Sequence, residues 1–194
     1  MEKVKTKKVT LEELLCLDIK GKIICFPTDT VYGVGAMVND LEALNKIYEM
    51  KKREESKPLA ILCGNTNQII PYVQNVSSKA LDLMHAYWPG ALTIIFKKTD
   101  LLSSEITKGK PTVAFRMPNS QIALKILNTF GLMATTSVNI SGEKELNSVE
   151  EILNEFDGMI DYIVTDNAVL QNVPSTIYDD TTKKVLRKGL IQID

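Results

Sequence analysis

Several short segments of this sequence gather hydroxyls, amides and cations at the ends of apolar runs, where an α/β protein usually meets a ligand. Pro27-Thr-Asp-Thr-Val-Tyr-Gly-Val-Gly35 sets polar side chains between an apolar run and two glycines. Thr28 and Thr30 could bond a polar ligand while Gly33 and Gly35 admit a close backbone; an ordinary turn with self-satisfied Thr and Asp is the other reading. Lys51-Lys-Arg53 and Lys57 are basic groups at a helix end and before a strand. They suit either the helix dipole or a phosphate held by an Arg fork and an ammonium. Arg116 closes the apolar run Val113-Ala-Phe115. A cation there is costly unless paired, so it holds either a ligand carboxylate or an internal Asp or Glu. Thr135-Thr-Ser-Val-Asn-Ile-Ser-Gly142 offers four hydroxyls and an amide at a strand end, a polar ligand site or a capped turn. Pro174-Ser-Thr-Ile177 and Arg187-Lys-Gly189 end the series.

The elements that must position these groups alternate. Thr10-Leu-Glu-Glu13 and Ser148-Val-Glu-Glu151 are capping-box patterns that open helices. Asp40 caps a helix with apolar Leu41, Leu44 and Ile47; Ser77 starts one through Leu81 and Met84; a third carries Ile122, Ala123, Ile126, Leu127 and Phe130 up to Gly131. Gly21–Phe26, Leu59–Cys63, Leu92–Phe96, Thr112–Phe115, Met133–Ser137, Tyr162–Thr165, Ser175–Tyr178 and Lys184–Arg187 read as strands. The order predicts an α/β fold with an open twisted sheet flanked by helices. The last strands lack a helix between them, so the sheet is expected to be mixed. No linker or repeat interrupts the chain, which reads as a single domain over 1–194.

Composition narrows the chemistry. Lys plus Arg is 23 against 24 Asp plus Glu, a net charge of −1, which disfavours a dedicated nucleic-acid binder. Three cysteines form no CxxC pair, and Cys25 and Cys63 sit in apolar runs, as in a reducing compartment. Met1-Glu-Lys-Val-Lys5 has no signal-peptide core, and no apolar stretch is long enough to span a membrane; a cytoplasmic protein is expected. No GxxxxGK[ST], GxSxG or full GxGxxG occurs, and one histidine, His85, does not make a zinc site.

Taken together and in order, Pro27–Gly35, Lys51-x-Arg53, Lys57-Pro-Leu59, Pro89-Gly-x-x-Thr93, Arg116-Met-Pro118, Ser137-Val-Asn-Ile-Ser-Gly142, Ser175-Thr176 and Arg187-x-Gly189 closely resemble the YrdC family, over about residues 9 to 190. Val138 stands where the family commonly has Ala, and Lys188 where it often has Pro. The resemblance implies a YrdC-like fold with a concave basic surface, of the short single-domain type. It further implies a synthase that joins L-threonine, bicarbonate and ATP into threonylcarbamoyl-AMP, the precursor of a tRNA modification. Thr30, Arg116, Ser137 and Ser175 would then face threonine, and Lys51, Arg53, Lys57, Asn139 and Arg187 the nucleotide. Mg²⁺ would arrive with ATP, and the product would pass to a separate transferase complex acting on tRNA. A paralogue that binds nucleotide or RNA without making this product is the alternative, as is an RNA-binding module. The longer hydrogenase-maturation carbamoyltransferases that carry a YrdC-like domain do not fit this chain.

Overall fold

The computed structural model describes residues 5–193; the charged segment 1–4 and Asp194 lie outside the described residues. In chain order the elements are β1 Lys7–Val9, α1 Leu11–Leu15, β2 Ile24–Pro27, β3 Tyr32–Met37, α2 Leu41–Lys51, β4 Ala60–Leu62, β5 Val73–Gln74, α3 Ser78–Tyr87, β6 Leu92–Lys98, β7 Thr112–Arg116, α4 Gln121–Phe130, β8 Met133–Ser137, α5 Val149–Phe156, β9 Tyr162–Val164, β10 Thr176–Asp179 and β11 Lys184–Arg187. One sheet runs β1-β9-β2-β3-β8-β4-β7-β6-β10-β11, with β5 paired to β6. It is mixed, as expected. β9 pairs in parallel with β1 and β2, β4 with β7 and β6 with β10, while β2/β3, β3/β8, β4/β8, β6/β7 and β10/β11 are antiparallel.

Successive side chains leave a strand in opposite directions, so the central strands feed two cores. Ile24 and Phe26 of β2, Leu62 of β4 and Met133 of β8 join Leu11 and Leu14 of α1 and Ala123, Ile126 and Leu127 of α4 in one core. Their neighbours Cys25, Ile61 and Ala134 point the other way. They pack with Leu44 and Ile47 of α2, Ala80 and Leu83 of α3, and Ile152 and Phe156 of α5. Burying a side chain such as Leu, Ile or Phe is worth about 1.5–3 kcal/mol, so these two layers hold the strand ends in place.

Local signals set the helix starts. Thr10 and Glu13 complete a capping box, and Asp40, Ser77 and Ser120 each accept from a backbone N–H three residues on. At α5, Ser148 accepts from Glu151 N, and the Glu151 carboxylate accepts from Asn147 N. α3 buries Ala80 and Leu83 and leaves Leu81 exposed. The apolar pattern predicts no strand at Tyr32–Met37, yet β3 forms there. Gly33 and Gly35 lie inside it, opposite Ser137 and Thr135 of β8. The close approach explains the residue type: a Cβ on Gly35 would sit 2.6 Å from Thr135 Oγ1 and 2.7 Å from the Ala134 carbonyl oxygen.

Candidate active site

The turn between β2 and β3 folds on itself through Thr28. Its Oγ1 donates to Val31 O at 2.7 Å and accepts from the Thr30 and Val31 amides at 3.2 and 3.3 Å. Thr30, 1% exposed, sets its hydroxyl 3.1 Å from Thr28 Oγ1. The incoming segment before β10 straps this turn down, Gln171 N donating to Asp29 O at 3.0 Å and Asn172 N to Thr30 O at 2.9 Å.

Arg116, at the end of β7, reaches the same turn. Its Nε donates to Gly90 O at 3.0 Å, one terminal nitrogen donates to Thr30 Oγ1 at 2.8 Å, and the other forms a buried ion pair with Asp29 Oδ1. Both side chains are 8% exposed. Burial pushes the guanidinium's pKa down and the Asp29 charge holds it up. Arg116 thus has the internal acid that the sequence left open. Its third contact, Thr30, lies on the cavity wall.

On the other side, β8 runs into a loop held from behind by Lys51. The ammonium, on a residue 1% exposed, donates to Ser137 O, to Asn139 O at 2.9 Å and to Asn139 Oδ1 at 2.6 Å. Asn139 Oδ1 also accepts from Ser137 Oγ at 3.0 Å, and its amide donates to Glu143 O at 2.7 Å. Burial, with the Arg53 charge second, lowers the Lys51 pKa to about 8. Arg53 folds back on its loop, donating to Lys57 O at 3.1 Å and Pro58 O at 3.2 Å. Lys57 points to solvent in a 3.0 Å pair with Glu54.

The third wall comes from β6, β10 and β11. Thr93 and Ser175 share a hydrogen bond of 2.7 Å, and Arg187 donates to Ser175 O at 2.9 Å and Ser175 Oγ at 3.1 Å. Gly189 packs so tightly that a Cβ would lie 2.5 Å from Pro174 O, which accounts for the glycine two residues after Arg187.

Together these walls enclose a cavity of about 330 Å³ whose lining includes Thr30, Arg53, Ser137, Ser175 and Arg187, so that two arginines and several hydroxyls share one lining. Lys51, Lys57, Arg116 and Asn139 are not on its wall. Lys51 and Asn139 brace the loop that presents Ser137, Arg116 stands behind Thr30, and Lys57 lies outside. Thr135 and Thr136, two of the hydroxyls the sequence offers beside Ser137, also line the cavity; sequence reasoning alone does not single out Glu145, and it gives Thr93 only as a motif letter. A larger hollow of about 880 Å³, bounded by Leu17, Asp18, Met37, Asp40 and Phe130, holds none of the candidate residues. Among the described residues no group of three or more His, Cys, Asp or Glu could hold a metal ion, and no helix is long and apolar enough to cross a membrane. Cys25 and Cys63 are free and buried, and burial pushes both thiols up, which keeps them out of nucleophilic chemistry.

A cavity that joins arginines to hydroxyls, with no nucleophile–base pair on its wall, suits binding and alignment of an anion and a small polar molecule. The Sua5/YciO/YrdC family model, described as telomere recombination, matches residues 19–189. A threonylcarbamoyl-AMP synthase of Bacillus subtilis is 34% identical over 97% of this chain and 56% of its own length. One of Vibrio campbellii is 30% identical over 87% of this chain and 93% of its own. The crystal structure of Pyrococcus abyssi Sua5 complexed with L-threonine superposes with a TM-score of 0.88 at 32% identity, covering 95% of this chain and 58% of that one. The chain thus spans little more than half the length of the Bacillus and Pyrococcus proteins. With its family match running through all three walls of the cavity, the chain belongs to the Sua5/YciO/YrdC family.

Proposed function

We propose that this chain is an L-threonylcarbamoyladenylate synthase, a nucleotidyltransferase that forms threonylcarbamoyl-AMP and pyrophosphate from L-threonine, bicarbonate or carbon dioxide, and ATP. The observation that carries the reading is one cavity in which Arg53 and Arg187 meet the hydroxyls of Thr30, Ser137 and Ser175. The names of its relatives support it.

In this reading the threonine amine captures carbon dioxide as a carbamate, and a carbamate oxygen attacks the α-phosphorus of ATP as pyrophosphate leaves. No protein nucleophile is required; the site aligns the reactants and offsets charge on the triphosphate. Arg53 and Arg187 hold phosphate oxygens through charge-assisted bonds, with Lys57 free to swing in from outside. The threonine carboxylate meets Thr30, whose oxygen already accepts from Arg116 and is a better donor for it. Ser175 and Ser137 bond the remaining polar atoms of the amino acid. Lys51 and Asn139 serve the nucleotide by fixing the loop under Ser137. Mg²⁺ enters as part of the nucleotide substrate, which suits an ion that keeps several waters and uses phosphate oxygens. The reading places the protein in the cytoplasm, ahead of a transferase complex acting on tRNA.

The test is pyrophosphate release from MgATP and bicarbonate with and without L-threonine, with serine and Arg53→Ala protein as controls. Release should need threonine and fall at least about 100-fold in the variant, comparable to losing a strong transition-state donor. Threonine-independent release, or none from folded protein, would leave a nucleotide- or RNA-binding paralogue in its place.

A further inference from the structure

Glu145 is the one acidic side chain lining the cavity, whose wall it shares with Arg53 and Arg187. Its loop is fixed on both sides. Asn139 Nδ2 donates to Glu143 O at 2.7 Å, Leu146 N to Val138 O at 2.8 Å, and Tyr32 N to Asn147 Oδ1 at 3.2 Å. Glu145 itself is half-buried, and its charge raises the pKa values of Lys51 and Arg187 against the effect of burial. Yet among the described residues its carboxylate takes no hydrogen bond and no ion pair. A carboxylate carried on a fixed loop, sharing the cavity wall with two arginines but bonded to neither, is available to something else.

We propose that Glu145 supplies the protein's oxygen ligand, directly or through one water, to the divalent cation that accompanies the nucleotide in this cavity. The proposal rests on the nucleotide reading above. A carboxylate facing a triphosphate repels it unless a cation lies between them. Magnesium takes one or two carboxylates together with phosphate oxygens and water, not a full protein cage. That matches a cavity with a single carboxylate and the absence of any larger ligand cluster among the described residues. The wall's charged side chains leave it one net positive charge, which suits a magnesium-chelated triphosphate better than the more highly charged free anion.

The experiment is calorimetric binding of a non-hydrolysable ATP analogue, in excess Mg²⁺ and in excess EDTA, to wild-type and Glu145→Gln protein, with urea unfolding to confirm the fold. Wild type should bind at least about 10-fold more tightly with Mg²⁺, and Glu145→Gln should lose most of that ratio. The variant should also bind the metal-free analogue at least as well as wild type, because a like charge has been removed. An unchanged ratio overturns the proposal. Equal loss of affinity in both conditions assigns Glu145 to loop structure and overturns it too. Threonine-dependent pyrophosphate release by wild type, measured alongside, separates the two readings: with turnover intact and the ratio unchanged, only the Glu145 assignment falls.

Discussion

Arg116 and Asp29 form the costliest pairing in the site, two opposite charges each about nine-tenths removed from water. A cation at the end of an apolar run was legible as one needing an anion. That the anion is Asp29 was not, because residues 29 and 116 meet only through the order of the sheet, where β3, β8 and β4 lie between β2 and β7. Replacing Arg116 by Ala should destabilise the protein by about 3–5 kcal/mol in urea unfolding, since Asp29 keeps its charge with no counterion. A loss below about 1 kcal/mol would mean that the pair matters little. Lys51 was harder to read, for a lysine in the last turn of a helix looks like a solvated, dipole-friendly cation. Here α2 aims it inward, and burial lowers its pKa to about 8 from an ordinary 10.5. Between those values the unfolded chain keeps a proton that native Lys51 has released, so through this group rising pH favours the folded state. The stability difference between wild type and Lys51→Met should therefore shift toward wild type between roughly pH 7 and pH 10. No shift, or one of opposite sign, would contradict the lowered value. Glu145 gave no signal at all: its loop is short, polar and without periodicity, and its place is set by Asn139, Asn147 and the end of β8.

At the scale of elements, helices were the easiest to see because their caps and apolar faces are local. The strands next to them came from apolar runs, and the mixed sheet from the missing helix near the end of the chain. β3 was missed for a physical reason. Its glycines, which normally weaken a strand, are there because β3 and β8 approach closely beside the cavity. Gly35→Ala would press a methyl into Thr135 Oγ1 and the Ala134 carbonyl, and backbone cannot step aside as a side-chain tip can. It should cost about 1–3 kcal/mol. Because β8 carries Ser137, it should also weaken the threonine response more than its stability loss alone explains. A variant with full stability and turnover would show that the strands have slack.

The molecule as a whole is one mixed sheet with helices packed on it, and its functional groups are drawn from strands and strand ends scattered along the chain. Thr30, Arg53, Ser137, Ser175 and Arg187 span most of the sequence, yet they line one cavity. Their types were legible as a set in order, while the division between wall and support was not. Lys51, Asn139 and Arg116 act from behind, a distinction that depends on which way each side chain leaves its element. Near-zero net charge agrees with chemistry on small molecules that proceeds without RNA. The central claim is that this cavity joins threonine, one carbon from bicarbonate and the adenylate of ATP. The most direct test is to incubate the protein with MgATP, L-threonine and ¹³C-bicarbonate, without RNA, and to examine the quenched products by mass spectrometry. The account predicts a threonylcarbamoyl adenylate carrying the label, absent when threonine is omitted. Unlabelled threonyl adenylate, or no adduct from folded protein that binds ATP, would contradict it.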